Sequence, residues 1–331
     1  MFVLKRLWLD RDKKAYERWS ELMTKAGLSP KEQVEYTVGI YAGERLAAIG
    51  SFDRNIIKCV AVCKDFQSEN LLTQIVMHLM ERMREEGNTH IFLYTKPQNE
   101  AIFHSLGFRK IINSEQILFM EQGTPDFSMY LQQLTEVRKN EQSAGIVMNA
   151  NPFTKGHQYL VETAAKANRQ VYVFVVSEDR SEFTTKERLE LVKLGVAHLD
   201  NVTVVPTNDY LVSSATFPSY FLKDRAEADL AKVQARFDAA LFKEKIAPVL
   251  NITKRYVGEE PFSKVTEIYN QSMAEVFGHE IQLVVLPRKE IRQQVISATK
   301  VREAIKNKDE QLLAAFLPET TYDYLKAHKK I

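Results

Sequence analysis

A polar turn that contains a histidine follows a short apolar run near the middle of the chain. Gly145–Met148 is typical of a buried strand, and the next residues read Asn149-Ala-Asn-Pro-Phe-Thr-Lys-Gly-His157. Gly156 permits a close turn, and a helix that begins there offers unpaired N–H groups and a partial positive charge, which together suit a phosphate. His157 is placed to donate a hydrogen bond to a phosphoryl oxygen as charge builds there. The segment predicts a phosphate-binding strand end. A histidine that only caps a helix is the alternative.

A second motif of similar chemistry lies near the end of the chain, at Ile296–Arg302. It follows a strand and a loop and opens a helix. Ser297 and Thr299 offer hydroxyls and amides to a phosphate, and Arg302 offers a planar cation to the β/γ end of a nucleotide. Taken alone, the motif also fits an ordinary serine N-cap with a solvated arginine.

The two motifs, T-x-G-H and I-S-x-T-x-x-R, together resemble the paired signature of the nucleotidylyltransferase superfamily, from about residue 144 to the end. The resemblance implies that the α-phosphate of ATP lies between the motifs, and that AMP is transferred with loss of pyrophosphate, usually with Mg²⁺. It implies catalytic roles for Thr154, His157 and Arg302. Its implied nucleotide-binding residues in the two motifs are Asn151, Pro152, Phe153, Lys155, Gly156, Ser297 and Thr299. Thr154 stands where the commoner motif has its first histidine. The histidines are scattered without ligand spacing, so no metal ligands can be read from the sequence.

Three further segments receive weaker assignments. Arg188 follows a Thr184-x-x-Glu187 capping box, so it lies on a first helical turn, where it meets phosphate or is simply solvated. In the segment that contains Gly258 and Glu260, the resemblance suggests adenosine contacts, although acidic residues at a helix start explain the glutamate equally well. Residues 213–220 are expected to shape the acyl or thiol site, or to form a packed surface loop.

The elements around both motifs alternate between strand and helix. Apolar strands such as AGIVMNA, VYVFVVS, VTVVP, KRYVG and IQLVVLP are separated by segments with helical periodicity. This order predicts a Rossmann-like domain with a parallel sheet covered on both faces. In such sheets ligands bind at the carboxyl ends of the strands, which is where the first motif stands.

The front of the chain has another order of elements. Two strands joined at Ala42–Glu44 and a third strand in IIKCVAV precede an apolar helix that Gly87 ends; then come a strand, a short helix, Leu106-Gly-Phe108 and a strand. Over about residues 1–125 this resembles the GNAT-type acetyltransferase fold. That family holds pyrophosphate on a Q/R-x-x-G-x-G/A turn, but Gln67–Leu72 has neither glycine, and Glu69 adds negative charge. We therefore expect no acetyl transfer from free acetyl-CoA.

Length and composition agree with two domains. A chain of 331 residues exceeds the usual size of one core. The fold prediction is an α/β protein with a GNAT-like α+β domain at 1–125, a linker at 126–143 and a nucleotidylyltransferase-like domain at 144–331. The formal net charge of +2 suggests no nucleic-acid partner, and no apolar stretch suggests a membrane span. Without a secretory signal the expected location is cytoplasmic.

Cys59 and Cys63 are the two cysteines of the chain. Alternation along one strand places both on one face, about 13 Å apart, which is too far for a disulfide. They are expected to be buried free thiols.

The combination of the two domains with ATFPSYF, VGEEPF and ISATKVR resembles the citrate lyase ligase family over nearly the whole chain. The resemblance implies a cytoplasmic acid–thiol ligase. Its substrates are ATP, with Mg²⁺ as counter-ion, acetate, and the thiol of a phosphoribosyl-dephospho-CoA arm on the acyl carrier subunit of citrate lyase. AMP and diphosphate leave through an acetyl-AMP intermediate. The front domain is then expected to dock the carrier or guide its arm, unless it only covers an apolar face.

Two other functions fit parts of the sequence. The first is an adenylyltransferase that acts on a phosphate acceptor such as nicotinamide mononucleotide or phosphopantetheine, because NPFTKGH suits such enzymes. The second is a protein that senses ATP and a CoA-like ligand without catalysis. A sensor binds ATP without releasing AMP and pyrophosphate, so product release separates it from an enzyme.

Overall fold

The computed structural model describes residues 1–139, 141–177, 181–211, 227–259, 264–291 and 294–331. The chain forms two compact units, the first comprising Met1–Met129 and the second beginning at Tyr130. Residues 227–233 group with the first unit.

The first unit contains a mixed sheet with helices. Its elements are β1 (Phe2–Arg6), α1 (Lys13–Lys25), β2 (Tyr36–Ala42), β3 (Arg45–Asp53), β4 (Ile56–Val62), α2 (Leu71–Glu85), β5 (His90–Thr95), α3 (Glu100–Ser105), β6 (Arg109–Asn113) and β7 (Leu118–Gly123). The seven strands follow the order β1-β2-β3-β4-β5-β7-β6. All neighbours are antiparallel except β4 and β5, which run parallel.

The helical spacing of apolar residues explains how α2 packs on this sheet. Ile75, Val76 and Leu79 lie on one stripe of the helix and are fully buried. Gly50 on β3 leaves room for that stripe, because a Cβ there would come within 2.2 Å of the Ile75 side chain. The predicted mixed α+β domain is confirmed. Strand β6, which begins two residues after Gly107, is one that the sequence reasoning missed.

The second unit has a parallel sheet. After α4 (Phe127–Glu136) its elements are β8 (Ser143–Met148), α5 (Lys155–Ala167), β9 (Gln170–Val175), α6 (Thr185–Val196), β10 (Val202–Pro206), α7 (Glu227–Leu241), a π-helical turn (Phe242–Ile246), α8 (Ala247–Leu250), β11 (Ile252–Gly258), α9 (Lys264–Phe277), β12 (Gln282–Leu286), β13 (Glu290–Ile291), β14 (Gln294–Val295), α10 (Ala298–Asn307), α11 (Glu310–Phe316) and α12 (Glu319–Ala327). The order of the large sheet is β10-β9-β8-β11-β12.

This strand order creates a natural ligand crevice. From β8 the chain moves to β9 and β10 on one side, and later to β11 and β12 on the other. Connections that leave in opposite directions open a crevice at the carboxyl ends of the two central strands, which are β8 and β11. The predicted Rossmann-like parallel sheet is confirmed.

The segment predicted as a linker contains helix α4. The Tyr130 hydroxyl donates to the carbonyl of Pro206, and Leu134 is buried. The second unit begins at Tyr130, inside this segment. The domain limits predicted from the sequence stay a proposal.

The two cysteines differ in place. Cys59 lies in β4 with a φ of 55°, and burial raises the pKa of its thiol. Cys63 follows the end of the strand, so the prediction of one shared strand face was wrong for it. Both thiols are free.

Among the helices that the structure describes, none combines the length and apolar character needed to cross a bilayer.

Candidate nucleotide-binding site

The first motif begins helix α5 at the carboxyl end of β8. Thr154 is the N-cap, with extended backbone, and its Oγ1 accepts a hydrogen bond from the backbone N–H of His157 at 3.4 Å. In return, the backbone N–H of Thr154 donates to Nδ1 of His157 at 3.0 Å. This reciprocal capping box fixes the imidazole ring in place.

The capping contact also determines which nitrogen of His157 carries the proton. Nδ1 accepts from a backbone N–H, so in the neutral ring the proton lies on Nε2. Burial, with the Arg288 charge as a second cause, lowers the pKa of His157 to about 4. At neutral pH the residue is therefore an uncharged donor through Nε2–H. Helix capping and donation to a ligand use different nitrogens, so the two functions weighed for this histidine are compatible.

The second motif begins helix α10. Ser297 is the N-cap, and its Oγ accepts from the backbone N–H of Lys300 at 3.2 Å. Arg302 donates through Nη1 to the carbonyl of Asn151 at 2.7 Å and through Nη2 to Oγ1 of Thr299 at 3.1 Å. Arg302 thus ties the two motifs together across 151 positions of sequence.

A pocket of about 640 Å³ opens at the crevice between β8 and β11. It is lined by predicted site residues from both motifs and from the end of β11, namely Thr154, Gly156, His157, Gly258, Ser297 and Thr299. Two helix N-termini therefore meet one pocket. Unpaired N–H groups and two partial positive charges favour a polyphosphate there.

Other predicted nucleotide-binding residues of the first motif lie behind the pocket. Phe153 is fully buried and stacks on His157, with 5.7 Å between the ring centroids. Gly195 of α6 makes room for it, since a Cβ there would come within 2.2 Å of the ring. Pro152 is also buried, and Oδ1 of Asn151 accepts from the backbone N–H of Phe183. These residues support the turn from the core.

Lys155 points away from the pocket and binds the end of another helix. Its Nζ donates to the carbonyls of Ala314 and Ala315 at 2.9 and 2.8 Å, in the last turn of α11. Burial and the nearby charge of Lys289 lower the pKa of this amine. An ammonium on the last carbonyls of a helix complements its negative end.

Arg188 is fully buried, which neither expectation for it anticipated. Its guanidinium donates to the carbonyls of Phe183 and Asn149 at 3.1 and 3.0 Å, and to Oδ1 of Asn149 at 2.7 Å. These carbonyls follow the end of β8 and precede α6, so the arginine holds the loops beside the pocket in shape. It does not line the pocket.

Gly156 has a different role from the close turn that was expected. It lies in the first turn of α5, its φ is not in the left-handed region, and a Cβ there would meet only ordinary contacts of 3.5 Å or more. Its missing side chain instead leaves the pocket wall open, so that a ligand can approach the backbone of the helix. Glu260 and residues 213–220 lie outside the described residues.

Sequence reasoning missed a polar cluster that lines the same pocket. Asp238 of α7, Arg255 of β11 and Tyr269 of α9 belong to it. The Tyr269 hydroxyl donates to Oδ2 of Asp238 at 2.5 Å. Burial raises the pKa of Asp238 to about 6, and burial lowers the pKa of Arg255 to about 10. The available signal was an arginine in the middle of the apolar strand ITKRYVG, where burying a cation is costly.

Two further cations line the pocket from the loop after β12. Arg288 donates through Nε to the carbonyl of Glu259 at 2.9 Å, and the Lys289 ammonium lies 5.6 Å from the centroid of the Tyr159 ring. With Arg255 they make three cations among the described lining residues, against one carboxylate there, that of Asp238. This balance suits an anionic ligand.

These donors fit the polyphosphate of ATP. Gly156 leaves the helix backbone open, His157 offers Nε2–H, and Ser297 and Thr299 begin the second helix. Among the described residues no group of three or more His, Cys, Asp or Glu side chains is arranged to hold a metal ion.

Comparison with known proteins identifies relatives over most of the chain. Residues 143–325 match the family of the citrate lyase ligase C-terminal domain. The citrate (pro-3S)-lyase ligase of Klebsiella pneumoniae is 36% identical over 330 residues, which cover 98% of this chain and 96% of that protein. The ligase of the same name from Escherichia coli is 35% identical over 306 residues, which cover 90% of this chain and 86% of that protein.

Two solved structures are each similar to a part of the chain. An acyl-CoA N-acyltransferase from Pseudomonas aeruginosa covers 37% of this chain and 99% of its own, with 15% identity and a TM-score of 0.32. A putative nicotinate-nucleotide adenylyltransferase from Vibrio parahaemolyticus covers 56% of this chain and 98% of its own, with 18% identity and a TM-score of 0.35.

The family assignment depends on the sequence relatives, whose similarity covers nearly the whole chain. With 36% identity over 98% of its length, the chain belongs to the citrate lyase ligase family.

Proposed function

We propose that this protein uses ATP to activate acetate as acetyl-AMP and then acetylates the thiol of the prosthetic arm on the acyl carrier subunit of citrate lyase. The observation that carries the proposal is the family membership over nearly the whole chain, joined to a pocket where two helix N-termini meet. Acetate is a poor acyl donor because its leaving group would be oxide. Adenylation supplies a good leaving group.

In the first step a carboxylate oxygen of acetate attacks the α-phosphorus of ATP. The new P–O bond forms as the bond to the β-phosphate oxygen breaks, so acetyl-AMP and pyrophosphate result. This displacement requires positioning and charge neutralisation and no covalent nucleophile on the protein. Nε2–H of neutral His157 donates to an α-phosphoryl oxygen, and the amides at the start of α5 and α10 bind the phosphates.

Arg302 has an indirect part in this step. Its guanidinium joins the carbonyl of Asn151 to the hydroxyl of Thr299, so it keeps the two motifs at the spacing that one polyphosphate needs. We assign Mg²⁺ to the phosphates of ATP as their counter-ion, where it would neutralise charge.

In the second step the arm thiolate attacks the acetyl carbonyl carbon. A C–S bond forms, the bond from that carbon to the AMP oxygen breaks, and AMP leaves. The thiol proton passes to solvent or to a base, because a thiolate and not a thiol is the nucleophile.

A cleft in the first unit is the proposed binding place for the carrier arm. Strands β4 and β5 pair only at Ile56–Phe92 and Ile57–Leu93, and beyond that point a cleft of about 950 Å³ opens between them. Val60 and Leu93 contribute to its apolar lining. The unpaired strand edges offer backbone groups to the amides of a CoA-like arm.

The charges at this cleft support an anionic ligand. Lys25, Arg45, Lys64 and Lys96 line it, whereas Asp65 is the one lining carboxylate among the described residues. Asp65 pairs with Arg45 at 2.6 Å. Phosphate groups on the arm therefore meet a mainly positive surface.

The proposed function is tested by acetate-dependent exchange of pyrophosphate into ATP, without any carrier protein. Adenylation and thiol transfer are separable steps, so we expect exchange with acetate alone. Exchange that requires nicotinamide mononucleotide or phosphopantetheine instead would show an adenylyltransferase for a phosphate acceptor. ATP binding without any exchange would show a sensor.

The docking role has its own test, in which Met1–Met129 of the first unit are removed to leave a fragment from Tyr130 onward. If that fragment is soluble and exchanges normally but acetylates the carrier poorly, the first unit docks the carrier. Undiminished acetylation by the fragment would leave the first unit with a packing role only.

A further inference from the structure

The buried arginine of the nucleotide pocket has two donors without a hydrogen-bond acceptor among the described residues. Arg255 is 9% exposed, yet its Nε and Nη1 atoms have no hydrogen-bond partner among the described residues. Buried donors without acceptors are costly, and a charged group costs more than a neutral one. A buried arginine of this kind becomes stable when a ligand supplies the missing hydrogen-bond acceptors.

The surroundings of Arg255 restrict the chemistry of the ligand that accepts its hydrogen bonds. The Phe242 ring lies beneath the guanidinium, with Cζ of the arginine 4.4 Å from the ring centroid. Asp238 is the nearby acid that acts on its charge, but Oδ2 of Asp238 already accepts from Tyr269. One planar face is thus occupied by the ring, and the side chain lines the pocket while two of its donors lack an acceptor among the described residues. A planar fork of N–H groups matches a carboxylate in two parallel bonds.

The pocket also offers apolar surface for a short alkyl group. Met273 lies one helical turn after Tyr269, on the same stripe of α9, and lines the pocket. Leu211 and Val176 line it too, and all three are at least 91% buried. A small acid would find both an arginine for its carboxylate and an apolar wall for its methyl group.

We propose that Arg255 binds the carboxylate of the acyl substrate, with Met273 against its alkyl group. The inference rests on the proposed function, since it names the residues that select acetate at the same pocket. Arg255 and His157 line one pocket, so the carboxylate and the α-phosphate share the space that the first step requires.

The test compares KM for acetate with KM for ATP in the pyrophosphate exchange assay. Arg255→Gln should raise KM for acetate on the order of 100-fold, the usual effect of losing hydrogen bonds to a charged group, and should change KM for ATP less than about threefold. Arg255→Lys keeps the charge without the fork, so a smaller rise is expected. Arg236→Gln is the matched control. Arg236 lies on α7 and pairs with Glu275 outside the pocket.

Folding of the variants needs its own control, because removing Arg255 leaves Asp238 without a nearby cation. The double variant Arg255→Gln/Asp238→Asn removes both charges and should show the same rise in KM for acetate. If neither glutamine variant folds, as judged by circular dichroism, the lysine variant alone tests the role of Arg255. The measure is then its change in KM for acetate compared with its change in KM for ATP.

The outcomes separate this inference from the proposed function. If the unaltered protein shows no acetate-dependent exchange, both are wrong. If it exchanges and the folded Arg255 variants keep a normal KM for acetate, the inference is wrong and the proposed function stands. A rise in KM for ATP alone would assign Arg255 to a nucleotide phosphate and would also overturn the inference.

Discussion

Two turns of this molecule lead from a strand into a helix beside a pocket, and they differ in what they present. At the start of α5, Thr154 and His157 form a reciprocal capping box that leaves one ring N–H for a ligand. At the start of α2, Asn70 has a φ of 53° and its side chain makes no capping hydrogen bond. Glu69 beside it is exposed and negative. We propose that the start of α5 binds phosphate through its neighbouring side chains and not through its dipole alone.

The largest expected effect lies at the α5 turn. His157→Ala should lower the rate of acetate-dependent exchange by about 10²–10³, the usual loss for one donor aimed at developing charge. Binding of ATP, measured by calorimetry, should weaken less because the helix amides remain.

The matched control for His157 is Asn70→Ala at the α2 turn, which should leave exchange unchanged. Normal exchange by His157→Ala would reduce the histidine to its capping role. Equal losses at both turns would remove the distinction between them.

The second largest effect is expected at Arg302, which links the two motifs. Arg302→Lys should raise KM for ATP by roughly tenfold, because one ammonium cannot bridge the carbonyl of Asn151 and the hydroxyl of Thr299 as the guanidinium does. KM for acetate should change less. Kinetics equal to those of the unaltered protein would mean that the link is dispensable for positioning.

The same contrast between turns shows what the sequence could predict. The apolar run Gly145–Met148 and the helical spacing after it predicted β8 and α5, because local pattern determines a strand and an amphipathic helix. The pairing of T-x-G-H with I-S-x-T-x-x-R predicted which two turns share a pocket.

Side chains that depend on distant contacts were not predictable in this way. The resemblance implied that Lys155 binds the nucleotide, and Arg188 was expected to meet phosphate or solvent, but both donate to backbone carbonyls. Lys155 meets α11, more than 150 positions away in sequence. Asp238 of α7 and Arg255 of β11 come close only in the folded chain, and no local pattern predicts their proximity.

The third effect concerns the cleft of the first unit. The double variant Lys64→Glu/Lys96→Glu should raise KM for the carrier several-fold by reversing two charges that face the phosphates of the arm. Exchange without carrier should stay normal. The effect should shrink at high salt because exposed charges are screened. A carrier KM that does not change at low salt would argue against this cleft.

The smallest effect is the absence of a pH response. His157 has a pKa of about 4, so the rate of exchange should show no step from this residue between pH 5.5 and 8.

The stability of the folded protein should instead depend on pH in the acidic range. The unfolded histidine, with a pKa of about 6.5, takes up a proton before the folded one does, so stability falls as pH drops from about 6.5 towards 4.

NMR titration of the imidazole checks the predicted pKa of His157 directly. A midpoint near 6.5 in the folded protein would mean that the ring is charged during part of the working range. The assignment of His157 as a neutral donor through Nε2–H would then be wrong.

The path of an oxygen atom tests the acetyl-AMP intermediate most directly. Acetate labelled with oxygen-18 in both carboxylate positions is incubated with ATP, the protein and the deacetylated carrier, and the products are analysed by mass spectrometry. Attack of acetate on the α-phosphorus, followed by thiolate attack on the acetyl carbon, leaves one labelled oxygen in AMP and none in pyrophosphate. Acetylated carrier formed together with unlabelled AMP would contradict the account.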